Sequence, residues 1–206
     1  MNLMTTLLRI GADTLPRTVV LHPAMSDAEF EALCRENGNV QFERTKEGAI
    51  RMNPPAGGWS SSGNQEISRQ LGNWWAAHER GRVFDSSGGF RLPDGSTLSP
   101  DASYLSEERL KALPKGALRG FPDVCPDFVI ELLSESDSLD TSRRKIADWI
   151  ANGALLCWLV DPYKRQVYVD RPNSPTMMVS DERISGSGPV EGFTLNLARV
   201  WKCYQD

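Results

Sequence analysis

The chain is poor in the residue types that most transition-metal and redox sites need. Its 206 residues include two histidines, His22 and His78, and four cysteines that form no C-x-x-C pair. This spacing excludes a zinc knuckle, and free thiols are the default state of cysteines in a reducing compartment. A metal bound by this chain is therefore expected to be held by oxygen ligands.

Long apolar runs and an excess of positive charge are missing as well. No segment approaches the roughly 20 apolar residues of a membrane span, and Arg9 and Asp13 interrupt the run that a signal peptide would need. We therefore expect a cytoplasmic protein without membrane contact. The formal net charge of -4 argues against a broad basic surface for nucleic acid. It does not exclude a nuclease whose carboxylates bind a cation.

The composition, 40% hydrophobic and 24% charged, is that of a globular protein with one sizeable core. Residues 1–24 show no clear period, and we expect them to form an N-terminal arm. We expect residues 25–206 to form a single domain.

Helix and turn signals organise the first half of this domain. A capping box at Ser26-Asp27-Ala28-Glu29 predicts a helix over residues 27–36. Loose alternation over 40–52 predicts a hairpin. Apolar residues at helical spacing predict a second helix over 62–81, and Asn64 lies on its inward stripe.

The second half predicts an α/β arrangement. Strands are predicted over 83–92, 101–105, 127–133 and 154–160, and a helix over 140–151. The continuous apolar character of 127–133 is typical of a central strand covered on both faces. The order strand, helix, strand indicates a right-handed crossover between parallel strands. Segments 167–169 and 192–195 are predicted to form a closing pair of strands.

Glu131 stands in the middle of this buried strand, where a hydrophobic residue would be expected. An ionised carboxylate without a partner costs several kcal/mol there, so it is usually paired or bound to a metal. Asp101 opens the preceding strand. Two carboxylates on neighbouring strands can hold Mg²⁺ or Mn²⁺ for phosphodiester hydrolysis. Asp101 could also serve only as a turn residue, since Pro-Asp is a common turn dipeptide.

A cation near Glu131 has to come from outside its own strand. Leu133 shares the face of Glu131 but is apolar. Lys145 lies on the margin of the packing face of the following helix, whereas Arg144 points nearly opposite, toward solvent. The long Lys145 side chain can reach the strand end, where it would orient or help deprotonate water and stabilise developing charge. The alternative is an ordinary surface lysine.

The connection over residues 106–122 is basic. It can be a flap beside the site or only a solvated connection. Its cationic residues are Arg109, Lys111, Lys115 and Arg119.

These segments together resemble the PD-(D/E)XK nuclease superfamily, and more closely the Uma-two family of restriction endonuclease-like proteins, which is common in bacteria. The matching pieces are 25–30 (MSDAEF), Phe42-Glu43, Glu47-Gly48, Ser99-Pro100-Asp101, 126–134 (PDFVIELLS), Lys145, 158–162 (WLVDP) and Gly192-Phe193. The resemblance implies a restriction-endonuclease-like core of the α/β (α+β) class. In this core a mixed central sheet is flanked by helices, with an additional N-terminal helix and hairpin.

The resemblance also implies roles for individual residues. Asp101 and Glu131 would be metal ligands, and Lys145 would be the catalytic lysine, moved from the strand to the following helix. Glu43 would be a further acidic member of the site, and Ser134 an accessory residue. Asn64 stands where a histidine is expected, and an amide keeps hydrogen bonding but loses proton transfer near neutral pH.

Three interpretations follow from these residues. The first is a Mg²⁺- or Mn²⁺-dependent endonuclease acting on DNA. The second is a catalytically silent nuclease-like module that binds nucleic acid or a protein partner. The third is an α/β domain in which Glu131 forms a salt bridge with a buried lysine or arginine. A homodimer is compatible with the first, because enzymes that cut both strands often act as dimers.

Overall fold

The computed structural model describes the backbone of residues 18–20 and residues 25–38, 40–53, 55–135 and 137–205 in full. Most of the predicted arm over 1–24 therefore lies outside the described residues. Within the arm, residues 18–20 form a strand that pairs with the predicted hairpin.

The secondary structure alternates short strands with a few longer helices. The strands are β1 (Thr18–Val20), β2 (Gln41–Arg44), β3 (Ala49–Asn53), β4 (Arg82–Asp85), β5 (Phe90–Arg91), β6 (Thr97–Leu98), β7 (Ala102–Leu105), β8 (Phe128–Leu132), β9 (Leu156–Asp161), β10 (Gln166–Asp170), β11 (Met177–Val179), β12 (Arg183–Ser185) and β13 (Thr194–Asn196). The α-helices are α1 (Asp27–Glu36), α2 (Gly58–His78), α3 (Glu107–Ala112), α4 (Leu139–Ala151) and α5 (Leu197–Lys202).

The main sheet carries the predicted crossover. Among the described residues it has six strands in the order β11-β10-β9-β8-β7-β4. Strands β8 and β9 are parallel and are joined through α4, as the sequence predicts. Strand β7 runs antiparallel to β8 on its other side. The carboxyl ends of β8 and β9 and the start of β7 therefore meet at one edge of the sheet.

Helices cover both faces of β8, which explains why every residue of this strand is buried. On one face, Ile67 and Leu71 of α2 pack with Phe128 and Ile130. On the other face, residues of α4 pack with Val129. Burial of these apolar side chains is the main source of stability of such a layered domain.

The smaller sheet supplies the second wall of the site. Within the described chain its order is β1-β3-β2-β6-β5, and β2 and β3 form the predicted hairpin. Phe90 and Leu98 of this sheet join the core on the α4 side of the main sheet. The hairpin is thereby brought next to the end of β8, and Glu43 of β2 is buried there.

Some predicted boundaries and pairings are wrong. The second helix begins at Gly58 rather than at residue 62, because the serine-rich first turn is helical although it carries no apolar stripe. Segment 83–92 is two strands in different sheets, β4 and β5. The predicted closing pair does not form: β10 pairs with β9 and β11, and β13 pairs with β12. Local alternation indicates a strand but not its partner.

The cysteines are free thiols, and two of them, Cys125 and Cys157, are buried. No helix in the described ranges combines the length and the apolar character that a membrane crossing requires.

Arg109 of α3 is a structural anchor rather than a cation on a flap. Its guanidinium donates to the carbonyl oxygens of Cys125 at 2.6 Å and Gly153 at 2.8 Å. It also lies 3.1 Å from the carboxylate of Asp127, whose other oxygen accepts the Ser106 amide at 2.7 Å. These contacts attach the connection over 106–122 to the start of β8.

Replacing Arg109 with alanine should therefore lower the free energy of unfolding by about 1.5–3 kcal/mol, because buried acceptors of a charged donor lose their partner. Urea unfolding measures this change. Lys111→Ala is the matched control, since Lys111 is exposed and its one ion pair within the described ranges is with Glu107 of the same helix. It should change stability by less than about 0.5 kcal/mol. Equal effects of the two variants would contradict the anchoring role of Arg109.

Candidate active site

Glu131 is buried near the end of β8, with a relative exposure of 6%. Its Oε1 accepts a hydrogen bond from the indole Nε1 of Trp149 at 2.7 Å. The Nζ of Lys145 lies 3.0 Å from Oε1 and 3.1 Å from Oε2. The carboxylate that stands out in the sequence thus has two partners, both on α4.

Lys145 is the centre of the cluster. Besides Glu131, its Nζ contacts the carbonyl oxygen of Ser99 at 2.8 Å and Oε1 of Glu43 at 2.8 Å. The predicted reach of Lys145 to the strand end is therefore present, and the alternative of an ordinary surface lysine is wrong. Arg144, the preceding residue, is exposed as predicted.

Asp101 lies directly before β7 and bonds across to β8. Its Oδ2 accepts the backbone amide of Leu132 at 2.7 Å, and its Oδ1 accepts Nδ2 of Asn64 at 2.9 Å. Asn64 comes from α2, on the stripe that the sequence predicts to face inward. The amide oxygen of Asn64 is buried and has no hydrogen-bond partner among the residues that the structure describes. An unpaired buried oxygen is costly and would be satisfied by a cation or a donor.

Glu43 enters the cluster from the smaller sheet. Its Oε1 accepts the backbone amide of Ser99 at 3.0 Å as well as the contact from Lys145. Ser99 therefore bonds Glu43 through its amide and Lys145 through its carbonyl. This double contact links the hairpin, the segment before Asp101 and helix α4.

Burial dominates the electrostatics of the two predicted metal ligands. It raises the pKa of the Glu131 carboxyl to about 8, because the charge of Lys145 offsets only part of the desolvation cost. Repulsion by Asp101 and Glu43 contributes to the same rise. Burial likewise raises the pKa of Asp101. Within the cluster, Glu131 and Asp101 are therefore the carboxyls whose charged form burial disfavours.

Glu43 and Lys145 behave in the opposite way. Burial opposes the charge of Glu43. The attraction and hydrogen bond of Lys145, together with the other hydrogen bonds that Glu43 accepts, outweigh this cost and hold the pKa of Glu43 below its usual range. Burial also opposes the charge of Lys145, yet the surrounding carboxylates raise its pKa. Glu43 and Lys145 therefore form a charged pair, whereas the raised pKa values of Glu131 and Asp101 favour the protonated form of the two carboxyls beside that pair.

Part of the cluster is not among the residues singled out from the sequence. Trp149 belongs to this part of the cluster, and its position four residues after Lys145 puts both on one side of α4. Ser99 contributes backbone groups, which leave no signal in residue type. Ser134, predicted as an accessory residue, donates its amide at 3.0 Å and its hydroxyl at 2.6 Å to the carboxylate of Asp137.

The donor chemistry fits a small divalent cation with oxygen ligands. Among the described residues, no three histidine, cysteine, aspartate or glutamate side chains are already arranged around a metal position. Mg²⁺ needs no such trio, since it usually binds one or two carboxylates and keeps several waters. Suitable oxygen ligands for Mg²⁺ are present on Asp101, on Glu131 and on the Asn64 amide.

This fold and site define an α/β protein with a mixed sheet flanked by helices and a buried acidic cluster at the carboxyl end of β8. The sequence model of the family described as "Uma2: Putative restriction endonuclease" matches residues 27–198, well over half of the chain. The chain belongs to the Uma2 family. Comparison with curated protein sequences gives no match.

A solved structure has the same fold. It is described as "a putative nuclease belonging to DUF820" from Anabaena variabilis ATCC 29413, and the TM-score is 0.66 at 20% sequence identity. The match covers 80% of this chain and 91% of the other. The predicted fold class is thus confirmed.

Proposed function

We propose that this protein is an endonuclease that hydrolyses phosphodiester bonds of DNA with the help of Mg²⁺ or Mn²⁺. The observation that carries the proposal is the buried cluster at the end of β8, where Glu131, Asp101 and Glu43 lie around Lys145. Membership in the Uma2 family supports a nuclease function.

Asp101 and Glu131 would hold the ion, and the Asn64 amide oxygen would be a further metal ligand. When bound, the ion neutralises charge on the phosphoryl group and lowers the pKa of water. The Trp149 indole orients the Glu131 carboxylate, and the Leu132 amide orients Asp101. Both ligands are thus preorganised by groups that do not themselves react.

Lys145 acts as a charged hydrogen-bond donor in this proposal. Its raised pKa keeps it protonated, so it stabilises negative charge on the phosphoryl oxygens rather than removing a proton from water. An ammonium has three donors, and here they meet Ser99, Glu43 and Glu131. Contact with a phosphoryl oxygen requires one of these bonds to open. Glu43 is a positioning residue that holds Lys145 in place.

The direct test is incubation of supercoiled plasmid with pure wild-type protein and Mg²⁺, Mn²⁺ or EDTA. We expect nicked or linear DNA with either metal and intact plasmid with EDTA. Protein saturated with Mn²⁺ that leaves plasmid, single-stranded DNA and RNA intact would contradict the proposal.

A silent binding module is the second candidate. The observation that favours it is that Lys145 already occupies the point where the Glu43 and Glu131 carboxylates converge, which compensates part of their charge internally. Calorimetric titration with Mn²⁺ distinguishes the candidates. An endonuclease should show saturable heat at one site, whereas a silent module should show none.

A further inference from the structure

Aromatic side chains lie at the same edge of the main sheet as the acidic cluster. Trp59 is in the first turn of α2, Tyr163 is in the turn after β9, and Tyr204 follows α5. The ring centroids of Trp59 and Tyr204 are 6.3 Å apart, and those of Tyr163 and Tyr204 are 5.6 Å apart. We call these three side chains the aromatic platform.

The aromatic platform is in contact with solvent. Trp59 is 45% exposed and Tyr163 is 44% exposed, although both rings are large and apolar enough to be favoured in a core. Tyr204 is half-buried and packs between them. Rings that remain exposed beside a candidate catalytic site are available to a ligand.

The aromatic platform approaches the candidate active site at Gly63 of α2. A Cβ at Gly63 would lie 2.9 Å from Cε2 of Tyr204 and 2.9 Å from Cδ2 of Leu132, so only glycine allows this close approach. The residue after Gly63 is Asn64, and the Leu132 amide donates to Asp101. Gly63 thus lies between the Tyr204 ring and the Leu132 side chain, next to the two groups that hold the Asp101 carboxylate.

Cations flank the aromatic platform, but they do not form a broad basic surface. Lys164 and Arg165 follow Tyr163 directly and are exposed. In the described chain neither takes part in an ion pair, so both can meet phosphates. Glu135 also lies near the Tyr163 ring. Stacking rather than charge must therefore supply most of the binding free energy.

An aromatic surface next to phosphate-binding cations suits an unpaired nucleotide. Every base has a π-face that can stack on tryptophan or tyrosine, whereas the faces of duplex bases are already covered by their neighbours. We propose that the aromatic platform stacks an unpaired base of the substrate strand, so that the strand is single-stranded beside the cleaved bond. This inference rests on the proposed function and assigns its substrate class.

The test measures binding without cleavage, by fluorescence anisotropy of labelled oligo-dT in Ca²⁺ with no Mg²⁺ or Mn²⁺ present. Trp59→Ala and Tyr163→Ala should each weaken binding by about 5- to 150-fold, the range expected for one stacked base. Trp59→Phe keeps a ring and should weaken it by less than about 3-fold. Met178→Ala is the matched control. Met178 is 64% exposed, but it lies on strand β11, which β10 and β9 separate from β8, so binding should not change.

Several results would contradict the proposed stacking of a base on the aromatic platform. One is wild-type affinity for oligo-dT in both alanine variants, with native circular dichroism. Another is equal affinity of the wild-type protein for oligo-dT and for a blunt duplex. A third is a wild-type dimer in sedimentation that Trp59→Ala converts to a monomer without loss of oligo-dT binding, since a second copy would then be the occupant.

Cleavage assays separate this inference from the proposed function. If wild-type protein cleaves DNA with metal and Trp59→Ala cleaves single strands equally well, the proposed stacking role of the aromatic platform is wrong and the proposed nuclease function is retained. If oligo-dT binding depends on Trp59 but wild-type protein cleaves no nucleic acid with any metal, the proposed function is wrong and the stacking site stands.

Discussion

Glu131→Gln should reduce metal-dependent cleavage of plasmid DNA by at least about 100-fold, because an amide replaces a charged ligand at the reacting centre. The substitution keeps the size of the side chain and an oxygen that can accept the Trp149 hydrogen bond. Asp101→Asn should have a similar effect through the other proposed ligand. The measurement is the initial rate of nicking at saturating Mn²⁺, together with the heat of Mn²⁺ binding.

The controls for Glu131→Gln separate chemistry from folding. At pH 6 the Glu131 carboxyl of the metal-free protein is protonated, since burial raises its pKa to about 8. Glutamine then replaces a neutral group, so thermal unfolding at pH 6 should change little. Glu108→Gln makes the same chemical change at an exposed position of α3 and should leave cleavage unchanged. Wild-type rates in folded Glu131→Gln would contradict the assigned role of Glu131.

Lys145→Met should lower the free energy of unfolding by about 3–5 kcal/mol at pH 8, because it leaves buried carboxylates without their cation. Methionine retains most of the apolar stem, so the loss reports charge rather than packing. Urea unfolding at pH 5 and pH 8 measures it. Arg144→Met, at the exposed neighbouring position on α4, is the matched control and should change stability by less than about 0.5 kcal/mol.

The sign of the pH dependence follows from proton uptake. Lys145 holds the pKa of Glu43 low and limits the rise at Glu131, so both pKa values rise in Lys145→Met. The folded variant then binds more protons than the unfolded chain above the ordinary carboxyl pKa of 4.5, and its stability falls as pH increases. The loss of unfolding free energy relative to the wild-type protein should be larger at pH 8 than at pH 5. Adding Glu131→Gln to Lys145→Met should reduce the pH dependence of stability, because one of the two titrating carboxyls is then removed.

Local rules were sufficient to predict the relation between Glu131 and Lys145. The alternation of a strand and the turn of a helix decide which side chains share a face, and a lysine stem spans a known distance. Both residues belong to one strand-helix-strand unit, in which α4 returns over β8. Their contact at 3.0 Å needs little information from the rest of the chain. The catalytic and metal-binding roles of these residues stay predictions, as does the single-domain boundary at residue 25.

Long-range packing explains what local rules missed. Glu43 was included in the site only through a resemblance, because nothing in β2 itself indicates that its hairpin packs beside α4. The closing strands were paired incorrectly for the same reason: β10 and β13 both have strand character, and the layers around them select their partners. Backbone groups such as the Ser99 carbonyl, which accepts from Lys145 at 2.8 Å, are invisible in a list of side chains.

The sequence by itself determined that a carboxylate lies in a buried central strand and that Lys145 can reach it, and it predicts oxygen ligands for a metal. The tertiary structure alone decided that Glu43 and Trp149 complete the cluster and that Asn64 bonds to Asp101. It also brought three aromatic rings from α2, the turn after β9 and the end of the chain to the same edge of the sheet. Periodicity specifies which face a side chain occupies, but only sheet pairing and layer packing specify what lies opposite that face.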